Sequence, residues 1–98
     1  MHAPHLVDIE STHALRRLAL RGEITPQRGA AAIEALSAIP MVRYPHWTLL
    51  PRVWALRLTL TAYDAAYVAL AETLGAPLLT RDTRLAGASG HSAVVELV

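Results

Sequence analysis

Residues 60–86 read LTAYDAAYVALAETLGAPLLTRDTRLA, and this stretch decides the fold. Thr61 stands as a helix N-cap before an alanine-rich and leucine-rich run, and Gly75 falls where a left-handed C-terminal cap is needed. The run therefore predicts one helix from Thr61 to Gly75. Pro77-Leu78-Leu79-Thr80 follows almost at once and reads as a short apolar strand, after which Arg81-Asp82 leads into one or two helical turns ending near Gly87. A helix joined this tightly to a strand is a compact unit of an α/β fold.

Outward from that unit the alternation continues. Residues 4–20 read as a helix ended by Gly22, and Thr25-Pro26 places an N-cap before a proline at the first helical position, opening a second helix to about Ala38. Pro40 stops it. Residues 41–44 are a short strand candidate, residues 48–58 a helix with Pro51 in its first turn, and AVVELV at 93–98 a final strand. Strands separated by helices predict an α/β fold with a parallel sheet, and 98 residues predict a single domain over residues 1–98.

Composition narrows the chemistry. An apolar fraction of 53% against 17% charged residues excludes a disordered chain, although much of the apolar content is alanine. No run is long enough to span a bilayer, so no membrane partner is expected, and Met1-His2-Ala3-Pro4-His5 carries neither the basic nor the apolar region of a signal peptide. A cytoplasmic protein is the expectation. The absence of cysteine excludes disulfides, thiolate catalysis and cysteine-based zinc sites. Net charge is only +1, yet all nine basic residues are arginine, whose planar guanidinium suits phosphate recognition. Exclusive arginine use is more simply explained by the nucleotide composition of a genome. Arg16, Arg17 and Arg21 share one predicted helix and Arg81 and Arg84 flank Asp82; a solvated helix face is the plain alternative for both groups.

Three of the eight carboxylates stand apart. Glu10 lies in line with Ala14 and Leu18, a stripe expected to face the core, so its charge needs a metal ion or an arginine as partner. Asp64 follows Thr61 by three residues, which fits a capping box, and it also stacks over Val68 and Ala71 with Tyr67 as an aromatic wall. Asp82 sits at the carboxyl end of the apolar strand, where open α/β sheets place ligand-binding residues; an ordinary N-cap for Thr83-Arg84-Leu85 explains it equally well. Taken together, the three describe an all-oxygen donor set, which suits Mg²⁺ or Mn²⁺ better than zinc. His2, His5, His13, His46 and His91 are scattered with no pair at i, i+4, and only His13 lies one helical turn from Glu10.

The Tyr63-Asp64-Ala65 and Thr80-Arg81-Asp82 elements, in this order and context, closely resemble the C-terminal half of PIN-domain ribonucleases, specifically the VapC-type toxins of bacterial toxin–antitoxin pairs. The segment APHLVDIESTHALRRLALRGEIT at 3–25 resembles the glutamate-bearing helix of the same family. The resemblance implies a PIN-like parallel sheet flanked by helices and Mg²⁺-dependent cleavage of RNA by a metal-activated water. It further implies neutralisation by a cognate VapB-type antitoxin, and it favours a homodimer. By position, Glu10, Asp64 and Asp82 correspond to catalytic metal-holding carboxylates and Thr80 to a hydroxyl that supports them. Arg81 and Arg84 are candidates for positioning the RNA backbone.

One departure stands out. The family pattern begins with a hydrophobic strand ending in an aspartate, and the present sequence starts at Met1-His2-Ala3-Pro4, so an N-terminally truncated domain lacking its central first strand is expected. Asp8 is a poor substitute, because residues two apart on a helix point to different sides. Two alternatives follow from that departure: a catalytically impaired remnant that binds an antitoxin or dimerises, and a longer cellular protein whose start lies upstream.

Overall fold

The computed structural model describes residues 1–80 and 82–98, and its internal contacts divide the chain into two compact units, Met1–Tyr44 and Pro45–Val98. In the first unit, strand β1 (His2–Pro4) is followed by helix α1 (Leu6–Leu20), helix α2 (Pro26–Ala38) and strand β2 (Val42–Tyr44). In the second, helix α3 (Leu50–Ala55), helix α4 (Ala62–Leu74), strand β3 (Leu78–Thr80), helix α5 (Thr83–Ala86) and strand β4 (Val95–Leu97) follow in order. Each unit holds one parallel two-stranded sheet, β1 with β2 and β3 with β4. The chain is thus α/β with parallel strand pairs, as its alternation of elements predicts.

The beginning of the chain departs from that prediction. Residues 2–4 are a strand, and the helix starts only at Leu6. A proline disfavours helical backbone in the residue before it, which holds Ala3 extended. Its partner is distant in sequence: His2, Ala3 and Pro4 lie opposite Val42, Arg43 and Tyr44, with Val42 N–H donating to Met1 at 2.9 Å and His5 N–H to Tyr44 at 2.8 Å. Helix α3 is also shorter than the predicted 48–58, ending in tight turns from Leu56 to Leu60.

Local signals account for the other helices. Thr25 caps α2 by accepting the Arg28 N–H at 3.1 Å, with Pro26 at the first position. Thr61 caps α4 in the same way, accepting the Asp64 N–H at 3.2 Å, and Gly75 ends that helix at φ 61°, a left-handed turn that costs glycine nothing. Burial concentrates on α4. Ala65, Ala66, Val68, Ala69, Leu70 and Ala71 are all buried, which covers the helix nearly all round. Leu56, Ala65, Val68 and Leu85 form the centre of the second unit, with Val53, Leu60, Leu78 and Ala93 packed against them. That core seats α4, which carries Asp64, and β3 and α5, between which Asp82 lies.

Candidate functional site

Asp64 occupies the first turn of α4 and is half-buried. Its amide is fixed by the Thr61 hydroxyl, but its carboxylate has no hydrogen bond or ion pair among the described residues. The capping box is therefore half made: Thr61 caps, and Asp64 does not reach back. A carboxylate near a helix N-terminus is favoured by the macrodipole, and this one is left with its acceptor capacity unspent.

Asp82 lies two residues beyond β3 and forms the N-cap of α5. Its Oδ1 accepts from the amides of Arg84 at 2.9 Å and Leu85 at 3.4 Å. The Arg84 amide bond is the main reason its pKa falls below the usual aspartate value, with the Leu85 amide and the Arg84 charge adding to it. Thr80 supports the same turn, its hydroxyl accepting the Asp82 N–H at 3.0 Å. The Arg84 guanidinium is 90% exposed and only grazes the carboxylate at 3.5 Å, so most of its donors face solvent. Arg81 lies outside the described residues.

Glu10 belongs to the first unit, on α1, and is half-buried. The stripe expected to face a core does not do so: Ala14 is exposed, Leu18 is half-buried, and α1 has no fully buried residue. Arg16, Arg17 and Arg21 are exposed along the same helix and its cap, and His13 is exposed as well. Among the described residues, no group of three or more histidine, aspartate or glutamate side chains is close enough to hold a metal ion. What the second unit does supply is a pair of carboxylates of different character. One is uncommitted; the other is held ionised by backbone amides.

Two features of the second unit escape sequence reasoning. The first is a cleft of about 510 Å³ lined by Leu50, Val53 and Trp54 of α3, by Arg57 and Leu60 of the following turn, and by Thr61. Within it the Arg57 guanidinium carbon lies 4.6 Å from the centroid of the Trp54 ring system. The spacing Trp54-x-x-Arg57, one helical turn, is the one sequence signal that could have found it. The second is Glu72, which collects Arg52 and Ser92 from distant parts of the chain with no local signature.

Residues 1–90 match the PIN domain family model. The chain belongs to the PIN-domain family. Its relatives place it in the VapC branch. It is 49% identical to "Ribonuclease VapC1" of Mycobacterium tuberculosis over 98 residues, which is 99% of this chain and 74% of that protein. It is 46% identical to "VapC ribonuclease Mb0985" of Mycobacterium bovis over 85 residues, covering 87% of this chain and 67% of the relative. With "Ribonuclease VapC12" of Mycobacterium tuberculosis the identity is 42% over 98 residues, covering 100% and 76%. The PIN match takes in Glu10, Asp64, Thr80 and Asp82 together. No helix among the described residues is long and apolar enough to cross a membrane.

Proposed function

We propose that this PIN-domain chain is a VapC-type ribonuclease that hydrolyses RNA phosphodiesters with Mg²⁺ or Mn²⁺, and that Asp64 and Asp82 are its working carboxylates. The observation that carries the reading is the 49% identity over the whole chain with a protein named a ribonuclease, joined to the open carboxylate of Asp64 at the head of the buried helix α4. Glu10 joins the set on the family correspondence alone.

The donor chemistry fits a hard cation. Mg²⁺ keeps several waters and uses one or two carboxylates, so Asp64 and Asp82 suffice as its protein ligands from the second unit. When bound, such an ion supplies positive charge against the phosphodiester and makes water a better nucleophile. The chain's own residues do the remaining tasks. Asp82 stays ionised because the Arg84 amide stabilises its charged form. Thr80 fixes the backbone on which Asp82 stands. Arg84, largely exposed, orients the RNA backbone through its phosphates, and Arg81 is assigned the same task from its place in the sequence.

A cognate VapB-type antitoxin is the proposed inhibitor, a homodimer the proposed assembly, and the cytoplasm the proposed location. These follow from the VapC relatives.

The purified chain, incubated with single-stranded RNA and Mg²⁺ or Mn²⁺, should cut the RNA and stop on addition of EDTA. Asp64→Asn should lose cleavage while keeping the folded circular dichroism spectrum. Equal cleavage by Asp64→Asn, or no cleavage by the folded wild-type chain with either ion, overturns the assignment.

A further inference from the structure

We propose that the cleft beside α3 and the start of α4 is a nucleobase subsite for single-stranded RNA, with Trp54 and Arg57 as its stacking platform. The proposal rests on the ribonuclease reading above and adds to it where one base of the substrate sits.

Four observations converge on it. Trp54 is 68% exposed, a large area for an indole on a helix whose neighbour Leu56 is only 2% exposed. The Arg57 guanidinium lies over that indole at 4.6 Å, and one of its terminal nitrogens donates to the Trp54 carbonyl at 3.1 Å. Arginine and indole are therefore arranged in advance, and a base stacking on them loses little side-chain freedom on binding. Charge is the third observation. Arg57 is the sole charged residue among the described residues lining the cleft, and the cation of α3, Arg52, is committed to Glu72. An apolar wall with an unopposed cation suits a π-face carried on an anionic backbone, as in single-strand binding proteins.

The fourth observation is position. Thr61 lines the cleft, and its hydroxyl holds the Asp64 amide at 3.2 Å, so cleft and proposed catalytic carboxylate share a residue. A base seated on Trp54 would keep its own phosphate in the neighbourhood of the first turn of α4. The volume, about 510 Å³, lies within the ordinary range of small-ligand clefts, about 300–1,000 Å³.

Binding is measured in EDTA, so that cleavage plays no part, with a short fluorescein-labelled single-stranded RNA of mixed sequence. Trp54→Ala should weaken binding about 5- to 150-fold, the equivalent of ~1–3 kcal/mol for one stacked base, and Trp54→Tyr should restore most of it. Arg57→Ala should reduce the salt dependence of the logarithm of affinity by about 0.7, one phosphate contact on a single strand. A Trp47→Phe chain leaves Trp54 as the sole tryptophan, and its emission should be quenched by RNA; this readout does not depend on a variant that could fail to fold. Unquenched emission together with unchanged affinity in Trp54→Ala overturns the subsite. So does a Trp54→Ala chain that changes oligomeric state on gel filtration while binding RNA normally, because the patch is then a protein interface. Either result leaves the ribonuclease reading intact if the wild type still cuts RNA. Failure of that reading appears separately, as absent cleavage by wild type with Mg²⁺ and Mn²⁺.

Discussion

Arg52 grips Glu72 with two parallel bonds, Nε to Oε1 and a terminal nitrogen to Oε2, both 2.8 Å. The same Oε2 accepts the Ser92 amide at 2.8 Å and its hydroxyl at 3.0 Å, and Arg52 donates onward to the Gly90 carbonyl at 3.1 Å. One carboxylate thereby ties α3 and α4 to the segment that leads into β4. Glu72 is well covered, its side chain 11% exposed, whereas Arg52 is 42% exposed.

The Arg52 bond, helped by Ser92, lowers the Glu72 pKa from 4.5 to about 2. A lowered folded pKa stabilises the fold above the unfolded value, and that contribution fades as pH falls from about 4.5 towards 2. Urea denaturation should show the wild type losing stability from pH 5 to pH 3 more steeply than Glu72→Gln. Parallel losses in the two proteins would remove Glu72 from the account.

Asp8 binds Arg43 through both carboxylate oxygens, at 2.9 and 2.7 Å from Nε, linking α1 to β2. This bond raises the Arg43 pKa above its ordinary value and gives Asp8 a structural task. Asp8→Asn should lower stability only slightly, as expected of a partly exposed pair, and leave RNA cleavage unchanged. Thermal melting and a cleavage assay on the same preparation check this. A cleavage loss as large as that of Asp64→Asn would instead put Asp8 in the chemistry.

Asp82 has two separable tasks, capping α5 and holding charge. Asparagine caps as well as aspartate, so Asp82→Asn should fold normally, lose cleavage and bind Mn²⁺ more weakly. Asp82→Ala should additionally lose stability with its cap, read as a lower denaturation midpoint. Mn²⁺ titration and denaturation of both variants distinguish them, and wild-type cleavage by Asp82→Asn would confine Asp82 to the cap.

Gly75 has open space around its absent Cβ, so any cost of Gly75→Ala comes from backbone strain at φ +61°. A loss of about 1 kcal/mol is expected, read as a lower urea midpoint with an unchanged slope. No loss would mean that the end of α4 frays freely.

The helix limits were legible wherever a cap and its acceptor lie within one turn. Thr61 bonds an amide three residues on and Asp82 one two residues on, so chain connectivity itself brings these partners together. The dual readings of Asp64 and Asp82 were legible for the same reason, and the structure separates them: Asp82 caps, whereas the Asp64 carboxylate stays open. Periodicity misled at Glu10. Its line with Ala14 and Leu18 describes one face of a helix, but only packing decides whether that face is covered, and Ala14 is exposed.

The sequence by itself determined the family, the alternation of helices and parallel strands, and the local caps, because these depend on residue types and short spacings. Only the tertiary structure decided that residues 2–4 are a strand, that Arg43 belongs to Asp8 and Arg52 to Glu72, and that Arg57 covers an exposed Trp54. Ion-pair partners 20 and 35 residues apart and strand partners 40 apart have no local geometry to announce them. Several arginines could satisfy each carboxylate on charge alone, and the folded backbone admits one.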